Sequence, residues 1–153
     1  MSLQRLIAVN WRALVASLIA HFALGMAWYG VFANPWMDAI GKNMDQLSAT
    51  VPQTVYVIPV ITTIALTLFV AKLMDLARER GVAAGLKWAL LLWACVTLPF
   101  AALHYAFAGN PPSLLLIDAG NELAGSILTG LILGTLGFHT SPATRRAASP
   151  AAA

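Results

Sequence analysis

Charge is what this sequence has least of: nine lysines and arginines and six aspartates and glutamates make up 10% of its 153 residues. A soluble domain carries about 25% charged residues, because polar groups must cover a globule that faces water. A chain this poor in charge, 59% hydrophobic and with a mean hydropathy of +0.77, is excluded as a soluble enzyme, a nucleic-acid-binding domain or a disordered segment. Cysteine is almost missing too. Cys95 stands alone in an apolar run, so a disulfide framework and a cysteine-based metal motif are both out of reach, and a small core hydrophobe is its expected role. The pI near 9.4 comes from basic residues that flank apolar runs rather than from a basic patch, which is where membrane segments keep them. The expected partner is the lipid bilayer; nucleic acid, metal and cofactor are not expected.

What is there is apolar sequence in four long pieces, at about residues 6–33, 55–76, 86–108 and 113–138. A bilayer core needs about 20 helical residues at 1.5 Å each, and each piece supplies them. The runs are continuous rather than alternating, which favours helices over strands. The fold class read from this is all-α: an integral membrane four-transmembrane-helix bundle over residues 1–139, with a flexible Ala/Ser/Pro/Arg tail at 140–153. The first run is longer than a leader's apolar region and has no clear Ala-x-Ala site, so it is expected to stay as a membrane helix. The polar stretch from Asn34 to Thr54 has room for a short interfacial helix around Pro35 to Met44. Gly109-Asn110-Pro111-Pro112 is a tight turn.

Basic residues set orientation. Four helices put Arg5, Arg12, Lys72, Arg78, Arg80, Lys87, Arg145 and Arg146 on one side and only Lys42 on the other. Both termini are therefore expected in the cytoplasm, in a bacterial inner membrane. Trp11 and Trp88 are expected as interface anchors at the inner face, and Trp28, Tyr29, Trp36 and Tyr105 at the outer one. Trp28-Tyr29…Asn34-Pro35 and His104-Tyr105…Asn110-Pro111 share Tyr, Asn and Pro at one constant offset, as a parallel duplication of a helical hairpin would leave behind.

Ionisable residues inside a bilayer are costly and so are candidates for function. His21, His104, Asp118 and Glu122 are those residues, with Asn121 among them. Counting from the helix ends puts Asp118 about 7 Å deep, Glu122 about 13 Å and His104 about 6 Å. His104 and Asp118 are thus expected to meet across the tight turn. Asp118 and Glu122, four apart, are expected on one face. The favoured reading is a structural polar knot in which the histidines satisfy the carboxylates; the alternative is a site for a proton or a divalent cation. Two series at a spacing of four mark packing or oligomer faces: Ser17 and Gly25 around His21 on the first helix, and Ser126, Gly130 and Gly134 on the fourth. Small residues let helix backbones approach in lipid. Pro59 and Pro99 lie inside the second and third runs, where they can kink a helix.

Asn10-Trp11, then Gly25-Met26-Ala27-Trp28-Tyr29-Gly30-Val31-Phe32 and Trp36, followed in the last run by Leu116-Ile117-Asp118-Ala119-Gly120 and Gly130-Leu131-Ile132-Leu133-Gly134, resemble the bacterial membrane proteins grouped as domain of unknown function 1761. The resemblance covers roughly residues 10 to 138. It implies a four-helix membrane protein and no established activity.

The function expected from these features is that of a structural, self-associating or accessory subunit, as a homo-oligomer or in a larger membrane complex. The alternative is a small transporter or channel for a proton, cation or small polar solute. An enzyme fits least, since only the histidine–carboxylate cluster could serve one.

Overall fold

The computed structural model describes residues 9–137; the expected helical residues 6–8, the last residue of the fourth run and the tail lie outside them. The described chain is all-helical. Helix α1 spans Trp11–Val31 and starts where Asn10 caps it, the Asn10 side chain accepting the Arg12 N–H at 3.1 Å. Phe32 interrupts the helix, and α2 follows at once over Ala33–Ile40. Pro35 falls in its first turn, where a missing N–H costs nothing. Gly41, at φ +65°, ends it in the left-handed conformation that glycine adopts without strain. Helix α3, Met44–Thr50, opens with a reciprocal box between Asn43 and Gln46. The expected single short helix of this connection is thus two.

A 3₁₀ turn at Gln53–Tyr56 leads into α4, Val57–Leu76. Pro59 lies in the first turn of α4 and leaves it unbroken. The third run is α5, Val82–Leu92, a π turn at Trp93–Thr97, and α6, Leu98–Phe107. Pro99 has no N–H to give to a carbonyl four residues back, and just before it Leu98 N–H reaches Trp93, five residues back. Helix α7, Pro112–Leu136, carries proline at its first position. The stretches Trp11–Val31, Thr54–Leu76, Val82–Phe107 and Pro112–Leu136 are each long and apolar enough to cross a membrane.

Helix α7 is the centre of the bundle: α5 makes the most extensive contact with it, α1 the next, and α2, α4 and α6 also touch it. The two ends differ. At the basic end, where the 77–81 connection lies, Val9, Ala13, Val70, Ala71, Met74, Ala84, Ala89 and Leu133 form the apolar core. At the opposite, aromatic end, α6 leaves Phe100, Leu103 and Phe107 exposed.

Glycine makes the basic end close-packed. A Cβ on Gly130 would stand 2.8 Å from the Gly85 carbonyl oxygen, and one on Gly85 would run into the carbonyl of Gly130. One on Gly134 would strike the Val82 backbone. The third helix starts at Val82, earlier than hydropathy suggests, and that first turn supplies the surface on which Gly130 and Gly134 sit. These two glycines serve packing within the chain.

Candidate functional site

Helix α1 runs antiparallel to α7, and three contacts fix their register. Asn10 N–H donates to the Gly137 carbonyl at 3.0 Å. His21 rests on Gly125, where a Cβ would stand 2.8 Å from Nε2. Trp28 Nε1–H donates to the Ile117 carbonyl at 3.0 Å. Between these points Ala13, Ser17, Thr129 and Leu133 are all buried. Along α1 the contacts at His21 and Trp28 are seven residues apart, and along α7 those at Gly125 and Ile117 are eight apart, about two turns in each helix. A strict spacing of four rotates by about 40° per step. That is why Asp118 faces the aromatic cluster while Gly130 and Gly134, on the same series, face α5. Ser17 and Ser126 are buried; Gly25 has open space around it.

Asp118 is where the elements converge. Its Oδ1 accepts the Tyr29 hydroxyl of α1 at 2.8 Å and the Trp36 indole N–H of α2 at 3.1 Å. Its Oδ2 accepts the Tyr105 hydroxyl of α6 at 2.5 Å. A carboxylate offers about four acceptor positions, and three are taken by neutral donors from three other helices. The two tyrosines are separated by the same offset as Asn34 and Asn110 and as Pro35 and Pro111, and they bind opposite oxygens. Around this centre, Trp28 covers Gly120, and Trp93, in the π turn, donates to the Ala119 carbonyl at 3.2 Å. Tyr29 and Trp36 meet edge to face at 5.8 Å.

The expected cluster is therefore divided. Tyr105, not His104, meets Asp118; His104 is exposed, its ring edge-on to Tyr105 at 6.1 Å. Three of the residues read as outer interface anchors, Tyr29, Trp36 and Tyr105, turn their polar atoms inward to the carboxylate, and Trp28 turns its own to a backbone carbonyl. Glu122 is exposed and makes no hydrogen bond among the described residues. His21 Nδ1–H donates to the Ser17 carbonyl at 2.9 Å. Asn121 Oδ1 is buried without a partner among the described residues, as are Ser17 Oγ, His21 Nε2 and Thr129 Oγ1. Among the described residues no three His, Cys, Asp or Glu side chains come together as a metal ion would require.

At the basic end, Trp11 is exposed with the Arg12 guanidinium 5.8 Å from its ring. Trp88 donates to Glu79 Oε2 at 2.9 Å, and Lys87 binds Oε1 at 2.7 Å. The hydrogen bond from Lys87, with that from Trp88, holds the Glu79 carboxyl below its ordinary range. Asp75 pairs with Arg80 at 2.8 Å and with Lys72 at 3.7 Å.

Sequence reasoning did not single out Trp93 or Thr129. Pro99 was the available signal for the first, since a proline deprives the turn before it of a donor.

The family model described as a protein of unknown function, DUF1761, matches residues 12–134, from the first turn of α1 to the last of α7. The chain belongs to that family. Its match takes in all four long apolar helices and every residue of the Asp118 cluster. No curated protein and no solved structure matches the chain.

Proposed function

We propose that this family member is a structural, self-associating or accessory subunit of a membrane assembly, with no catalytic role. The observation that carries this reading is the use made of Asp118. The carboxylate at the centre of the cluster is committed to Tyr29, Trp36 and Tyr105, so it acts as a tie between helices. Three of its roughly four acceptor positions are taken, which leaves little of it for an ion. The exposed apolar faces of α6 and α7, with Phe107 at 87% and Leu116 at 73%, suit lipid or a neighbouring subunit. The eight-to-one division of basic residues supports a bacterial cytoplasmic membrane with both termini inside. The matched roles of Tyr29 and Tyr105 support an ancestral hairpin duplication.

Cross-linking in native membranes followed by mass analysis tests the reading. A discrete oligomer or a stoichiometric co-purifying membrane protein is expected. A strict monomer without a partner overturns it.

The second reading, a small transporter, keeps one specific support: His21 and Glu122 are outside the Asp118 tie.

A further inference from the structure

Among the described residues, the side-chain polar atoms buried without a hydrogen-bond partner are Ser17 Oγ, His21 Nε2, Asn121 Oδ1 and Thr129 Oγ1. All of them lie on α1 or α7. An unpaired buried polar atom is costly and calls for a reason. Of these groups only His21 titrates. The Ser17 carbonyl can only accept, so its bond to Nδ1 puts a hydrogen on that nitrogen. Nε2 is then the nitrogen left to gain or lose a proton. Gly125 leaves the space beside it: any larger residue there would collide with the imidazole.

Glu122 lies one turn toward the aromatic end from Gly125, the residue against which the His21 ring rests, and it is exposed and unbonded. The other groups around the pair are accounted for. Asp118, one turn along α7 from Glu122, is held by its three donors. The tyrosine hydroxyls of Tyr29 and Tyr105 point to Asp118. On α4, Lys72 and Asp75 lie at the basic end, as does Lys87 on α5. On α2, Asp38 is exposed, and His104 of α6 is exposed too.

We propose that His21 and Glu122 form a proton-binding site inside the membrane span, holding one proton between Nε2 and the Glu122 carboxylate and exchanging it through the exposed side of Glu122. Without the proton the pair is a neutral imidazole and a carboxylate, with one net negative charge. Taking up a proton makes it neutral overall, either as imidazole with carboxylic acid or as imidazolium with carboxylate. The proton passes between these two forms without leaving the site. The inference does not depend on whether the protein assembles with others.

The test uses the full chain in lipid nanodiscs. His104→Gln and His139→Gln leave His21 as the single histidine, and its ¹⁵N spectrum and the carboxyl infrared bands are followed together against pH. Nδ1 is expected to stay protonated while Nε2 titrates, with a carboxyl band changing in the same step. Glu122→Gln is expected to abolish that band and move the histidine step to another pH. Titration at Nδ1, separate steps for the two groups, or a histidine step unmoved by Glu122→Gln would overturn the proposal. Should the Glu122→Gln protein not fold, the tautomer and the common step in the parent decide it alone.

Discussion

Gly85 of α5 and Gly130 of α7 lie so close that neither has room for a Cβ, whereas twenty residues further along the same run Tyr105 holds α6 to α7 through one hydroxyl on Asp118. The first contact is backbone against backbone, with apolar side chains sealing it. The second is a side-chain bond in a region where α6 is mostly exposed. In lipid there is no hydrophobic drive to bring helices together, so close packing and hydrogen bonds share the work. This chain assigns one to each end. The division gives the intramembrane carboxylate a role: it ties helices together at the end where Leu114, Ile117 and Ala119 are the buried apolar side chains.

The largest expected effect comes from breaking the packed end. Gly130→Val forces β-branched bulk against the Gly85 backbone, and overpacking of this kind costs about 3 kcal/mol; unfolding of the protein in bicelles reads it out. Asp118→Asn turns one acceptor into a donor facing a hydroxyl and removes the charge that strengthens all three bonds. A loss of about 2 kcal/mol in the same assay is expected. Tyr105→Phe and Tyr29→Phe each remove one donor and should cost about 1 kcal/mol, while His104→Phe should cost nothing measurable.

Smaller still is the effect of the 77–81 connection. Glu79 is held below its ordinary carboxyl range when folded, chiefly by Lys87. Its contribution is present above the ordinary range and lost as pH falls through the folded value. Glu79→Gln should therefore lower the melting temperature slightly at neutral pH, and the difference should vanish in acid. Gly25→Ala, with open space around it, should leave the melting temperature unchanged or slightly raised. A large loss there would mean that the glycine series of α1 meets another chain.

Hydropathy made the four spans legible, because a bilayer demands long apolar helices wherever they pack. The start of the third at Val82 was hidden: Ala83, Ala84 and Gly85 are small rather than strongly apolar, and their role is close approach, which needs a partner to be seen. Apart from Trp93 and Thr129, the polar residues of the site were visible as candidates or as interface anchors, but their pairings were not. His104 and Tyr105 are about 100° apart around one helix, and depth along the axis cannot choose between them. Asp118 took the tyrosine because that face of α6 turns to α7. The aromatics near the helix ends read as an interfacial belt for the same reason: position along a helix is in the sequence, while the direction of an indole N–H or a hydroxyl is set by the neighbours. The spacing of four through Gly134 likewise looked like one face until its rotation was followed over several turns.

Hydrogen exchange of the parent and of Asp118→Ala in nanodiscs tests the central claim most directly. If the aromatic end is held by the carboxylate and the basic end by glycine packing, exchange should rise in α2, α6 and the last turns of α1, and stay unchanged around Gly85 and Gly130. A uniform rise through α5 and α7, or no change at Tyr29 and Tyr105, would contradict it.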